Sequence, residues 1–305
     1  MRRLLFRRAL HLIVVLFGIA TIVFIIQHLT GDPTHLLLAP EASKEEIALF
    51  RHQMGFDQPL YRQYFQFIKG LLHGDFGQSL RHAQPALHLV MERLPATVEL
   101  TFAALAIALC VSIPVGVLSA FKPNSTMDNL GMVLALLGQS MPIYWSGLML
   151  ILLLTVKWNL LSAFGRGDLS NLIMPAVSLG FFSMARITRV TRSSMISVLG
   201  KDYIRTARAK GLAEHKVMIR HAFKNASLPI ITLVGMELGT LLGGAVITET
   251  IFAWPGVGRL AIQAIYNRDF PVTRAAVLIL ATIFVLINLV VDILYTYLDP
   301  RVRYD

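Results

Sequence analysis

Six stretches of mostly apolar residues, about 9–29, 98–121, 129–156, 170–190, 226–249 and 275–298, alternate with polar connections along the chain. A helix needs roughly 20 such residues to cross the hydrocarbon of a bilayer, so each stretch predicts a membrane span. The fourth is the weakest, because only Leu169–Ala185 is free of charge and Pro175 lies within it. Pro114, Pro142 and Pro175 put helix breakers at membrane depth. The backbone groups they free find no water in hydrocarbon, so neighbouring helices must satisfy them, which predicts a packed bundle over isolated anchors. The fold class expected is an all-α membrane protein with six transmembrane helices.

Two polar segments shape the organisation. Residues 31–96 carry turn signals at Gly31-Asp32-Pro33, Asp57-Gln58-Pro59 and Gly74-Asp75-Phe76-Gly77. Apolar spacing in Glu45–Met54 and Tyr61–Leu72 predicts short amphipathic helices between those turns, hence a small ordered cap. Residues 188–227 form a basic segment. The expected division is therefore 1–30 (tail and first helix), 31–96 (outside cap) and 97–305 (a five-helix core that contains segment 188–227).

Composition agrees with this pattern. Only 15% of the 305 residues are charged and 55% are hydrophobic, with mean hydropathy +0.62. A soluble domain carries about 25% charged residues, so an ordinary cytosolic enzyme, a disordered chain and a disulfide scaffold are all excluded. The lone Cys110 sits in an apolar run and reads as a packed small hydrophobe. Net charge +10 would suggest nucleic acid in a soluble protein, but here it sets orientation. Arg2, Arg3, Arg7 and Arg8 precede the first span, and ten of the 28 Lys and Arg fall between Arg186 and Lys224. Both termini and the basic segment are expected in the cytoplasm. The first apolar run ends Gln27-His28-Leu29-Thr30-Gly31-Asp32-Pro33 without a small-residue cleavage site, so the helix is expected to stay uncleaved.

Chemical motifs are sparse. The one Gly-Lys, Gly200-Lys201, is followed by Asp202 and has Met195 where a phosphate-cradling loop needs its first glycine. Neither an H-E-x-x-H pair nor paired cysteines with metal spacing occurs, and the histidines are scattered. No cofactor, metal or catalytic site is expected in this chain. The informative part is Tyr203–Pro229. Helix-compatible residues run to Gly211, which can stop or bend a helix, and a second short helix is expected over 212–225, ending before Pro229. On it Leu212, Met218, Ile219, Ala222 and Phe223 can face inward while Lys216, Arg220 and Lys224 face water. By charge alone this is also what a positive-inside loop or a patch for anionic lipid looks like.

Within the spans three polar groups stand out: Glu237 in the fifth, and Asn288 and Asp292 at i, i+4 in the sixth. A charge in hydrocarbon is costly, so such groups serve either as interhelical hydrogen bonds or as contacts along a solute pathway. Gly235, Gly239 and Gly243 form a small-residue stripe on which another helix can pack closely, and Glu237 points roughly the other way.

Spacing in the basic segment goes further than its charge. Ala207, Gly211 four residues on, and Leu228-Pro229 seventeen after the glycine resemble the cytoplasmic E-A-A-x3-G…L-P signature of ABC-importer permeases. More narrowly, the chain resembles the first permease subunit of the dipeptide/oligopeptide/nickel importers. Gly31-Asp32-Pro33, Gly55-Phe-Asp-Gln-Pro-Leu60, Gly74-Asp-Phe-Gly77, Arg205-Thr206-Ala207-Arg-Ala-Lys-Gly211, Trp254-Pro-Gly-Val-Gly258 and Asp299-Pro-Arg-Val-Arg-Tyr304 carry the likeness from end to end. One departure is that Arg205 stands where the general signature has glutamate. The resemblance implies a coupling helix in the cytoplasm, with Arg205, Thr206, Ala207, Gly211, Leu212, Glu214, His215, Arg220, Leu228 and Pro229 as its segment. It also implies partners: a second homologous permease, one or two ATPase subunits holding ATP and Mg, an extracytoplasmic solute-binding protein and membrane lipid, but no nucleic acid. The location implied is the bacterial inner membrane, and the solutes are peptides, glutathione or chelated nickel. An ion-coupled secondary transporter with a basic lipid-binding loop is the rival, although the matching broken repeats of such carriers are not evident. A membrane-embedded enzyme would need clustered catalytic groups, which this sequence lacks.

Overall fold

The computed structural model describes residues 2–29, 43–53, 55 and 57–298. The Gly31-Asp32-Pro33 and Asp299–Tyr304 motifs, Phe56 and the C-terminus lie outside the described residues. In chain order the helices are α1 (Arg2–Leu29), α2 (Lys44–Gln53), α3 (Leu60–Leu72), α4 (Ala86–Phe121), α5 (Thr126–Ser140), α6 (Ile143–Leu150), α7 (Leu169–Leu199), α8 (Asp202–Ala209), α9 (Glu214–Lys216), α10 (Lys224–Ile251), α11 (Val257–Tyr266) and α12 (Phe270–Leu298). Two stretches are wound as wider π-type turns: Ile151–Lys157 continues α6, and Val217–Phe223 joins α9 to α10. Among the described residues β pairing is limited to an isolated bridge between Gln78 and Pro85.

Four of the six expected spans have apolar length enough to cross a membrane: Leu10–Leu29, Ala86–Phe121, the continuous run Glu214–Ile251, and Phe270–Ile293. The expected span 129–156 is broken. It is two helices, α5 and the α6 run, meeting at 108°. Pro142 is the cause, because it pushes Met141 out of helical backbone (φ −86°, ψ 126°) and opens a new helix at Ile143. Helix α7 is long but carries Arg186, Arg189 and Arg192 in its second half, so apolar length alone does not make it a span.

The chain groups into two compact units, Met1–Pro95 with Pro255–Leu286, and Ala96–Trp254 with Ile287–Asp305. In the first, α3 lays Phe67 against Ala20 and Phe24 of α1 and Leu278 of α12. Phe24 stacks on Phe67 at 5.7 Å between ring centroids, and Tyr64 shares a 2.8 Å hydrogen bond with Thr21. A second cluster joins Leu89 and Val90 of α4 to Val257, Ala261 and Ala264 of α11 and to Val272 and Ala275 of α12. Asp269 closes the loop ahead of α12, accepting hydrogen bonds from Ser79 Oγ at 2.5 Å and from the Leu80 amide.

The second unit is built on close approach between α4, α7 and α10. Leu100 and Ala104 of α4 pack with Ala176 and Leu179 of α7 and with Leu241 and Ala245 of α10. A Cβ on Gly180 would stand 2.7 Å from the Ala104 carbonyl oxygen, so only glycine lets α7 come this near α4. At the end of α10, Trp254 is fully buried and donates its indole N–H to the Ala96 carbonyl at 2.8 Å. Buried Glu249 accepts the Thr97 hydroxyl at 2.6 Å.

Candidate functional site

Helix α8 opens after Lys201, which is extended, with Asp202 in its first turn where a carboxylate suits the positive helix end. It closes on a Schellman turn: the Leu212 amide bonds the Ala207 carbonyl at 3.4 Å and the Gly211 amide bonds the Arg208 carbonyl at 2.9 Å. Gly211 takes φ +73°, the left-handed region that side chains resist, and the space beside its Cα is open. Its role is thus conformational, without any steric contact to protect.

Across that turn Arg208 grips Glu214 with both arms of the fork, Nε to Oε2 at 3.1 Å and Nη2 to Oε1 at 2.6 Å. The guanidinium hydrogen bond holds the Glu214 carboxyl below its usual range, and the carboxylate raises Arg208 in return. Arg205 makes only a 3.4 Å exposed approach to Asp202, and Thr206 bonds back to the Asp202 carbonyl.

The segment is anchored from beneath. Ile204 and Ala207 of α8 pack with Met195 of α7, Ala120 of α4, Val217, Met218 and Ala222 of the π-type stretch, and Ala226 of α10. Two expectations for this stretch are corrected. Leu212 and Ile219 face outward, at 38% and 68% exposure, while Val217 takes the buried position. Leu212 lies in the turn ahead of the helix, and within Val217–Phe223 the π-type winding rotates Ile219 away from the position that a 3.6-residue period assigns it. The second helix also does not end before Pro229: Glu214–Ile251 is continuous, and Pro229 lies inside α10. A proline is tolerated where local π adjustment eases the backbone, as in the turns just ahead of it. His215, Arg220, Leu228 and Pro229 are exposed. With Tyr203 and Leu212 they belong to a surface that mixes cations with apolar side chains.

Glu237 stands at the middle of the 28 residues of α10 and is fully buried. It accepts the Ser183 hydroxyl of α7 at 2.6 Å, and Arg186 Nη1 comes to 2.8 Å from its other oxygen. That second approach has ion-pair distance without hydrogen-bond alignment. Gly235, on another side of α10, faces α12, where an added Cβ would meet Val291 at 2.5 Å. Gly239 is buried, whereas Gly243 has open space beside it. Asn288 and Asp292 are half-buried on α12.

Sequence reading missed the partners of these groups. Arg186 was counted with the cytoplasmic cations, and the only available signal was that it falls one residue past the charge-free run. Nor was the pairing of Asp128 with Arg192 legible. Asp128 lies in the first turn of α5, where its amide bonds the Ser125 cap and its carboxylate takes the Asn124 amide. It then receives Arg192 of α7 through two bonds of 2.5 and 2.6 Å. Helix α7 is therefore clamped by ion pairs to α10 through Arg186 and to α5 through Arg192.

A helical bundle of this kind is the fold of ABC-importer membrane subunits. A chain of the MetNI methionine ABC transporter in inward-facing conformations superposes with TM-score 0.59 at 18% identity, covering 69% of this chain and 96% of that one. A chain of an amino acid ABC transporter crystallised with histidines gives 0.53 at 18% identity, over 70% and 94%. The chain belongs to the family of binding-protein-dependent transport system inner membrane components, whose model matches residues 112–304, while the N-terminal model of the same family matches 1–101. Similar proteins include the dipeptide transport system permease DppB of Alkalihalophilus pseudofirmus, 42% identical over 98% of both chains. DppB of Escherichia coli K12 is 42% identical over 97% of this chain and 98% of its own. The glutathione transport system permease GsiC of Salmonella paratyphi A is 40% identical over 98% of both. A transport subunit is what this family defines, and a secondary carrier is not favoured.

Proposed function

We propose that the chain is the first permease subunit of an importer that moves dipeptides, glutathione or related small solutes across the bacterial inner membrane. Near-full-length identity of about 40% to both dipeptide and glutathione permeases carries this reading. The partners are a second homologous permease, one or two ATPase subunits that hold ATP and Mg, and an extracytoplasmic binding protein. Six spans place both termini in the cytoplasm, with α7 completing the set because Arg186 and Arg192 meet carboxylates on neighbouring helices.

The segment from Asp202 to Pro229 is the coupling element. ATP-driven closure of the ATPase subunits pushes on its exposed face. The buried side of α8 and the π-type stretch is packed on α4, α7 and α10, so a push moves those helices together instead of deforming a loop. The Gly211 turn and the Arg208–Glu214 brace fix the angle at which the exposed face meets its partner. Work is done on solute only if nucleotide and solute favour different arrangements of the bundle. Purified complex in proteoliposomes, with its binding protein outside and ATP inside, takes up radiolabelled Ala-Ala or glutathione. Uptake of neither refutes the reading.

A further inference from the structure

We propose that Arg186 is a carboxylate-binding residue of the solute pathway, with its planar fork held ready by Glu237 and Ser183. The inference rests on the importer reading above and deepens it by naming a contact. Glu237 lies about 12 Å past Pro229, where the coupling element ends, and about 21 Å from the far end of α10 at 1.5 Å rise per residue, so the guanidinium that touches it also stands within the membrane span. Glu237 is completely buried, yet the Arg186 side chain keeps 33% of its surface exposed. Its contacts among the described residues are the Nη1 approach to Glu237 and the Phe182 ring, 5.8 Å from the guanidinium carbon. One third of the side chain's surface is thus left open to a further partner.

A charge at that depth does not face lipid, because the cost of removing it from water is several kcal/mol even by the mildest scales. The exposed edge therefore looks onto a water-filled path or onto a group of opposite charge. Two features favour a path for anionic solutes. A guanidinium can engage one carboxylate with one edge and a second with the other, which a lysine cannot do with the same geometry. The buried carboxylate also offsets the charge at rest, so the site stays tolerable when empty. Every dipeptide and glutathione has a free carboxylate that such a fork fits.

The test uses the assembled complex with Cys110→Ser and a reporter thiol at Phe182→Cys, the position whose ring lies beside the guanidinium. Labelling by the uncharged reagent methyl methanethiosulfonate is timed with Ala-Ala or its C-terminal amide added. Ala-Ala is expected to protect at about tenfold lower concentration than the amide, the factor that one charged hydrogen bond supplies. In the pair Arg186→Gln with Glu237→Gln, which removes both charges of the pair together and so leaves no orphan, that tenfold difference is expected to vanish. Arg186→Lys, which keeps the charge but not the fork, should fall between. Co-purification of the ATPase subunits checks that each variant assembles. A thiol that never labels, or acid and amide that protect alike in the parent, overturns the inference. If the parent complex imports Ala-Ala while acid and amide protect alike, this inference alone fails. If it imports neither Ala-Ala nor glutathione, the proposed function fails with it.

Discussion

A carboxylate halfway along a membrane helix persists only where its charge is answered, and Glu237 is answered by Ser183 and Arg186. Removing Glu237 leaves the Arg186 charge, one third exposed, uncompensated, which costs a part of the roughly 3 kcal/mol that a fully buried pair would lose. Glu237→Ala should therefore lower the thermal midpoint of the purified complex and reduce its yield, whereas exposed Glu45→Ala should change neither, surface changes being worth about 0.5 kcal/mol at most. Equal midpoints for the two would make Glu237 a bystander. Sequence alone was enough to single out Glu237, because one acid in an apolar run is conspicuous. Its partner was hidden, since Arg186 lies 51 positions away and stands with nine other Lys and Arg, up to and including Lys224, in the one-dimensional count. Only packing of α7 on α10 separates an arginine within the span from the cytoplasmic ones.

At the scale of the element, the turn between α8 and α9 depends on a glycine and on a charged brace. Folded Glu214 has its carboxyl lowered by the Arg208 hydrogen bond. A lowered carboxyl contributes stability that is present above the unfolded value, near 4.5, and is lost as pH falls through the folded one. Proteolytic nicking at Gly211 should thus stay constant from about pH 8 to 5 and rise only below the ordinary glutamate range, and Glu214→Gln should abolish that rise. Nicking that increases between pH 7 and 5 would contradict the brace. Helix existence was readable from apolar length, and the paired amphipathic helices before α4 were readable from spacing. What each proline does was not. Pro114, Pro175 and Pro229 are absorbed within α4, α7 and α10, while Pro142 turns the chain through 108°. Ahead of Pro229 the π-type turns ease the backbone, and they leave no mark in composition.

In the whole molecule, the proposed coupling role requires the basic segment inside and the polar stretch after α1 outside. A cysteine at position 42, which lies outside the described residues, should react with an impermeant maleimide in intact cells, and one at position 214 should react only after the membrane is opened. Labelling at 214 in sealed cells would reverse the orientation. The segment from Asp202 to Pro229 is proposed to transmit ATPase work to the bundle through a turn that only glycine makes without strain. Because the space beside Gly211 is open, a side chain there acts through backbone strain alone, about 1–2 kcal/mol and more for a β-branched residue. Gly211→Asn should be mildest and Gly211→Val most severe. The decisive measurement is ATP hydrolysis by the reconstituted complex, with and without loaded binding protein, for the parent and for Gly211→Val. Strong stimulation is expected in the parent and none in Gly211→Val, or loss of the ATPase subunits from it, with the permease still in the membrane. Full stimulation and normal uptake by Gly211→Val would contradict it.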